Sequence, residues 1–400
     1  MAQSAGTCPV ESVVEDTPDL PDTHPSGDDR FPTWVRVLFV FGLLYLFLVG
    51  IKALETGIKA FGSDFTDSLF ASVSNPLAGL FVGTLATVLV QSSSVTTATI
   101  VGLVGAGSLP LDLAVPMIMG ANIGTTVTNT LASLGFLRRT KEFRLAFAGA
   151  TMHDFFNLLA VAVMLPLELT TGFLTKISQR VADLMADMGW GGFGESDSPI
   201  KSAVKAPVKL LERILERFSA SSDVVGIVML IFGLAMIFLA LAYVTRNMRL
   251  VMAGRFERSL NAVLMKGGGF SAIAIGVVMT VMVQSSSITT SVLVPMIAAG
   301  VVTLQSAFPI TLGANIGTTV TAMLASLATD SQEGLVIGLV HFFFNTLAVV
   351  VFYSIPALRK IPLALAERLG AYAEVRKSIV VVYVVGAFIV VPVIGVLVLQ

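Results

Sequence analysis

Two short motifs carry most of the hydroxyl and carboxamide side chains that an otherwise apolar chain can offer a ligand. The first, QSSS, stands at Gln91, Ser92, Ser93 and Ser94, and again at Gln284, Ser285, Ser286 and Ser287. The second, GANIGTTVT, fills 120–128 and returns letter for letter at 313–321. In both cases the copies lie 193 residues apart. Neutral oxygens of this kind ligate hard monovalent cations. Serine hydroxyls with the free N–H groups of a helix N-terminus hold oxyanions. Ser92–Ser94 is a natural place for a helix to begin, because serine caps N-termini well. Segments 78–135 and 268–328 contain no Lys, Arg or His, and Asp112 is their one carboxylate. A bare divalent anion is costly in such surroundings without a counter-charge. A co-bound cation would supply one. The residues therefore point to a small anion together with a monovalent cation, without choosing the anion.

Other chemistries fit less well. Serine hydrolysis would use Ser92 or Ser285 with His153 or His341. A hydrolase needs one nucleophile, whereas the motif is duplicated, and neither half has a GxSxG elbow. His153 opens HDFFN (153–157) and His341 opens HFFFN (341–345). With Cys8 the lone cysteine, no further ligands converge on them, so structural hydrogen bonding is expected and the only metal is sodium. Asp154 is matched by Phe342 in the second copy, and a carboxylate at membrane depth is a functional suspect. Helix packing or pairing with a basic loop residue is an equal reading of it. Single SSS or GxxG runs usually serve as glue between membrane helices. Four long motifs duplicated in register favour a binding site. An anion channel would share the inventory but would not concentrate its substrate.

The elements that must position these residues are membrane helices. Apolar residues make up 55% of the chain and charged residues 13%, against about 25% charged in soluble domains. Mean hydropathy is +0.86. The expected class is all-α, a polytopic membrane protein. The net charge of −1 gives no reason for a nucleic-acid partner, and none is expected. Residues 1–32, rich in Pro, Asp and Ser, read as a disordered cytoplasmic tail. Transmembrane repeats are expected over 33–168 and 223–357. Across 80–134 and 273–327, about half the positions are identical without a gap. A linker at 169–222 holds an amphipathic helix over 207–218, and 358–400 ends in an unmatched apolar segment at 378–399.

Each repeat offers three crossings, in the first half 33–55, 111–135 and 145–168. The segment 77–107 is divided at Gln91 into arms of about 15 residues, or roughly 22 Å of helix, which reach the midplane without spanning. It is expected to be a re-entrant hairpin with QSSS at its tip. Three crossings per half invert the second half. The basic loops 138–144, 246–266 and 356–377 all fall inside if the N-terminus is cytoplasmic, and the acidic turn near Asp330–Glu333 falls outside. Inverted repeats with broken helices at the midplane are transporter architecture. The glycines of KGGG (266–269) are a candidate hinge.

The paired QSSS motifs, GANIGTTVTNT at 120–130, FAGATMHDFFN at 147–157 and LGANIGTTVTA at 312–322 resemble the type II sodium-dependent phosphate cotransporter family. The resemblance covers about 35–357 and looks like a compact bacterial member. It implies import of inorganic phosphate across the plasma (inner) membrane on the sodium gradient, without covalent chemistry and with no cofactor beyond Na⁺. It places phosphate between the tips, at Gln91, Ser92, Ser93, Ser94, Gln284, Ser285, Ser286 and Ser287. It places sodium at Gln284, Ser285, Thr318 and Thr321, with Asn122, Thr125 and Asn315 as further candidates. It implies a broken helix following each tip. Ala314 departs from the pattern, since many relatives carry serine there. A sulfate or dicarboxylate symporter is the same-class alternative. Family members usually keep both termini cytosolic, whereas seven crossings would leave Gln400 outside.

Overall fold

The computed structural model describes residues 32–61, 75–188, 199–217, 221–252 and 269–399. The tail expected over 1–32 (apart from Pro32), the basic loop from 253 to 266, and three of the four KGGG residues lie outside the described residues. All regular structure among the described residues is helical.

The first half contributes α1 (Thr33–Ala60), α2 (Pro76–Val90), α3 (Ser93–Gly105), α4 (Leu111–Thr125), α5 (Val127–Ser133) and α6 (Thr140–Thr171). The linker holds α7 (Phe173–Asp187) and α8 (Pro199–Arg217). The second half repeats the order with α9 (Ser222–Met252), α10 (Phe270–Val283), α11 (Ser286–Ala298, bent at Val292), α12 (Leu304–Ser326) and α13 (Gln332–Ser354). It is followed by α14 (Pro356–Val375) and α15 (Ser378–Leu399). Among the described residues six helices, against seven expected crossings, are long and apolar enough to cross a membrane: α1, α6, α9, α12, α13 and α15.

Three expectations change in detail. The amphipathic helix begins at Pro199, eight residues before the expected start, because Val204 and Val208 extend its buried face backward. The stretch from Arg246 to Met252 is the last two turns of α9 and not loop. A broken helix is expected after each tip, but only the first half has one, interrupted at Thr126 within the 111–135 crossing; α12, which carries the same GANIGTTVT, is continuous and corrects the expectation for the second half. The motif therefore does not break the helix by itself. The halves differ just after it, where Asn129 and Thr130 replace Ala322 and Met323. Both polar side chains are tied to other helices, and neither residue favours a helix interior as alanine or methionine does.

Glycine decides how the helices meet. Gly50 of α1 lies against Gly233 of α9, and Gly57 against Gly226, so the first helices of the two halves run antiparallel. A Cβ at Gly120 would collide with the Leu80 carbonyl of α2, and a Cβ at Gly313 with the Ile273 carbonyl of α10. Backbone-to-backbone approach of this kind is how membrane helices gain dispersion energy without a hydrophobic driving force. Phe156 of α6 joins the halves, meeting the rings of Phe308 and Phe352 edge-on at 6.1 and 5.9 Å.

Different contacts mark the two ends of the molecule. At one end Arg144 bridges to Glu374 at 3.4 Å and Lys377 lies over the Phe143 ring. At the other, the turn at Thr329–Asp330 touches Gly105 at the foot of α3 and Lys205 of α8. The foot of α11, at Val294 and Ala298, packs on Ala146 and Ala150 and so belongs to the first end.

Candidate functional site

Each QSSS motif forms the link between two short helices. Gln91 and Gln284 are the only non-glycine residues with positive φ among those described, at 57° and 55°. A left-handed turn ends α2 and α10, and Ser92 and Ser285 then cap α3 and α11 by accepting the N–H of Val95 and Ile288. A glycine would adopt this turn at lower cost; a non-glycine residue there costs about 1–3 kcal/mol.

The reason for glutamine lies in the other motif. Gln284 Oε1 accepts the Thr321 hydroxyl at 2.8 Å, and its amide donates to the Val281 carbonyl at 2.7 Å. Gln91 repeats both bonds, taking the Thr128 hydroxyl at 3.2 Å and donating to Val88. The two motifs are thus one structural unit. Glycines 120, 124, 313 and 317 bring a helix against the first arm of each hairpin, and the last threonine of the motif pins the tip glutamine.

The two tips meet. Ser94 Oγ donates to the Gln284 backbone carbonyl at 3.2 Å. Ser93, Ser94 and Ser286 are buried there, Ser92, Ser285 and Ser287 are half-buried, and the tips differ in that Gln284 is buried while Gln91 is exposed. The first N–H groups of α3 and α11 have no carbonyl within their own helices, as at any helix start. Of the eight residues expected to hold the anion, Gln91, Ser92, Gln284 and Ser285 form the links, and Ser93, Ser94, Ser286 and Ser287 open α3 and α11.

The cation candidates divide. Gln284, Ser285 and Thr321 come together at the second tip. Thr318 lies one turn back on α12 and bonds the Ala314 carbonyl. Asn315 is drawn elsewhere: its Oδ1 pairs with His153 Nε2, and its amide donates to Asn157 Oδ1 at 2.6 Å. Asn157 in turn donates to the Asn122 carbonyl at 2.7 Å. The side chains of Asn122 and Thr125 bond carbonyls of α4 itself, at Ile118 and Ala121. His153 thus serves a polar chain across α6, α4 and α12.

Sequence reasoning marks Asn129, by its contrast with Ala322, as a point where the halves differ in the ions they hold, and passes over Tyr383. Asn129 donates to Thr290 Oγ1 at 2.6 Å and accepts from Ser291 at 2.9 Å, so α5 of the first half grips α11 of the second. The contrast between Asn129 and Ala322 in the aligned copies is the signal that marks it. Tyr383 donates to Asp154 Oδ2 at 2.9 Å, and Thr130 donates to the same oxygen at 3.1 Å. Asp154 is buried and its Oδ1 has no protein partner. The unmatched α15 therefore touches a carboxylate that only the first half carries; no sequence pattern announces that contact.

A family model described as Na⁺/Pi-cotransporter matches residues 46–189 and 236–355. The chain is 31% identical to sodium-dependent phosphate transport protein 2A of Ovis aries, covering 98% of this chain and 74% of the sheep protein. It is 32% identical to sodium-dependent phosphate transport protein 2B of Bos taurus, over 94% of this chain and 68% of the bovine protein. The human 2B protein is 31% identical over 89% of this chain and 64% of its own length. No solved structure matches the chain.

Proposed function

The chain belongs to the Na⁺/Pi-cotransporter family, and from that premise we propose that it is a sodium-coupled symporter importing inorganic phosphate across the plasma membrane by alternating access. It is a multi-pass membrane protein and not an enzyme. Phosphate binds between the two tips, at Gln91–Ser94 and Gln284–Ser287. Sodium binds beside the second tip at Gln284, Ser285, Thr318 and Thr321, with Asn122, Thr125 and Asn315 further away.

The observation that carries this reading is the contact of two serine-capped helix starts at Ser94 and Gln284 with no basic residue on either hairpin. Helix N-termini favour anions, but their partial charges fall short of a divalent phosphate. Sodium supplies the missing charge, which is the physical basis for coupling. The antiparallel α1 and α9 support inverted repeats with re-entrant hairpins. A cytoplasmic N-terminus belongs to this reading: Arg144 and Lys377 share one end, and α1 starts at that end because Lys52, toward its last turns, pairs with Asp330 at the other.

The test is uptake of labelled phosphate into proteoliposomes under an inward Na⁺ gradient. Accumulation that collapses when K⁺ replaces Na⁺ is the expected result. Uptake indifferent to that exchange would overturn the coupling, and preferential accumulation of sulfate would overturn the substrate.

A further inference from the structure

One pair of matched motifs has no part in the tips: HDFFN on α6 and HFFFN on α13. His153 and Asn157 of α6 correspond to His341 and Asn345 of α13, and Asn315 of α12 corresponds to Asn122 of α4. α6 packs against α12, and α13 against α4, so each histidine helix adjoins the GANIGTTVT helix of the other half. The repeat thus supplies the residues for two copies of one polar bridge. Only the first is made. His153 Nε2 pairs with Asn315 Oδ1, Asn315 donates to Asn157 Oδ1, and Asn157 donates to the Asn122 carbonyl. The mirror bridge would join His341 to Asn122, Asn122 to Asn345, and Asn345 to the Asn315 carbonyl. None of these three bonds is present among the described residues.

The asparagines of the unmade bridge are parked on their own helices. Asn122 Nδ2 donates to the Ile118 carbonyl at 2.9 Å, and Asn345 Nδ2 to the His341 carbonyl at 3.1 Å, each four residues back. The equivalent carbonyls in the made bridge, of Thr311 and His153, receive no asparagine amide, because Asn315 and Asn157 are turned to other helices. Each of these side chains therefore has two positions, separated by rotation of its own dihedrals. Parking leaves atoms without partners. His341 and Asn345 are each 1% exposed, and neither His341 Nδ1 nor Asn345 Oδ1 has a hydrogen-bond partner. His153 Nδ1 also lacks one, so the copies differ in Nε2 and in the asparagines. Buried polar atoms of this kind favour a rearrangement that supplies partners.

We propose that the two bridges alternate. The state described here holds His153, Asn315 and Asn157 together; the opposite-facing state parks Asn315 and Asn157 and joins His341, Asn122 and Asn345 instead. The inference rests on the alternating-access reading and adds to it a latch that tells its two states apart. Bonds lost in one half are replaced by their equivalents in the other, so the exchange does not add to the buried atoms left without partners. A network balanced in this way suits a two-state element, because a ligand shifts an equilibrium only by its differential affinity for the states.

The experiment places one cysteine pair at a time in the full-length C8S chain: H153C/N315C for the bridge that is made, H341C/N122C for its mirror. Copper phenanthroline should close each pair, because both states are visited. Adding N157A should raise closure of H341C/N122C about fivefold, the population shift expected from one lost hydrogen bond, and N345A should do the same for H153C/N315C. An H341C/N122C pair that never closes, or closure indifferent to the alanines, overturns the exchange. Should a pair not fold, nitrogen-15 histidine spectra of the otherwise native chain decide. The chain has three histidines, so H24Q leaves His153 and His341 alone in the spectrum. Two sets of signals, with one ring bonded whenever the other is not, are expected. A His341 ring that stays unbonded with Na⁺ and phosphate present, singly present and absent overturns the proposal. Sodium-driven phosphate uptake by wild type without the exchange sinks this inference alone. Exchange without phosphate uptake keeps the latch and sinks the substrate.

Discussion

Gln91 and Gln284 accept a backbone conformation that glycine would adopt more easily, and the compensation is their carboxamides. Each carboxamide closes the end of its own helix and takes a threonine hydroxyl 37 residues later. The pairing is the physical reason that the two motifs recur together. Two outcomes follow at this scale. Gln284→Gly relieves the turn and loses the carboxamide, so thermal stability stays near wild type. Phosphate uptake, measured in the same preparation, falls by roughly tenfold or more, tenfold being about 1.4 kcal/mol of lost interaction. Thr321→Val removes a single hydroxyl bond and lowers unfolding free energy by about 1 kcal/mol in a denaturation series, with the sodium dependence of uptake shifted to higher concentration. The hydroxyl clusters were legible as a ligand-binding inventory from composition alone. The Gln–Thr pairing was not, because nothing local relates residues so far apart.

At the scale of elements, the glycines of GANIG pack helices and the threonines that follow fix the tip. Gly313→Leu places a side chain against the Ile273 carbonyl, where backbone cannot yield. The expected outcome is loss of monodisperse protein on size exclusion, while a leucine at Gly135, which has open space beside it, is tolerated. The turn between α12 and α13 behaves differently. Burial alone would raise the Asp330 carboxyl, but Lys52 and Lys205 outweigh it and hold the group below its ordinary range. A depressed carboxylate stabilises the fold above its unfolded value and stops doing so as pH falls through its folded value. Partly exposed, the tie is worth about 1 kcal/mol at most. Asp330→Asn should remove that acid-sensitive increment from a thermal-shift titration and leave the neutral-pH melting point lowered by a few degrees at most, about 2–4 °C per kcal/mol for a chain of ordinary domain size. The short paired arms around each QSSS were readable because arm length and duplication are sequence properties, and Pro76–Val90, Ser93–Gly105, Phe270–Val283 and Ser286–Ala298 are indeed too short to count among the spans. The break at Thr126 in one copy of an identical motif was not, since partners on α6 and α11 distinguish the copies.

For the whole molecule, the duplicated order of elements and the antiparallel α1 and α9 make two halves that interlock. Asn129 grips α11, Ser94 touches the second tip, and Phe156 meets rings from both α12 and α13. The two ends make opposite predictions for chemical access. In a Cys8→Ser background, Lys141→Cys in the first turn of α6 and Lys209→Cys on α8 should react with a membrane-impermeant thiol reagent from opposite faces of sealed vesicles. Labelling of both from one face would refute the arrangement. The last helix, α15, adds a device that the repeats do not contain, carrying Tyr383 to Asp154 while most of its apolar surface remains outward.

The sequence by itself determined that this is a helical membrane protein, that it is doubled, and that its duplicated motifs offer neutral oxygen without basic residues. Those follow from composition, length and repetition, which do not depend on how the chain folds. Only the tertiary structure decided which candidates share a place. It brings the two tips into contact through Ser94 and the Gln284 carbonyl, leaves Asn122 and Thr125 on their own helix, and commits Asn315 to His153 and Asn157. It also gathers lysines from α1 and α8 around Asp330, charges separated by more than a hundred residues that no periodicity connects. Hydrogen bonds and charge pairs act over a few ångströms, and those distances are set by packing.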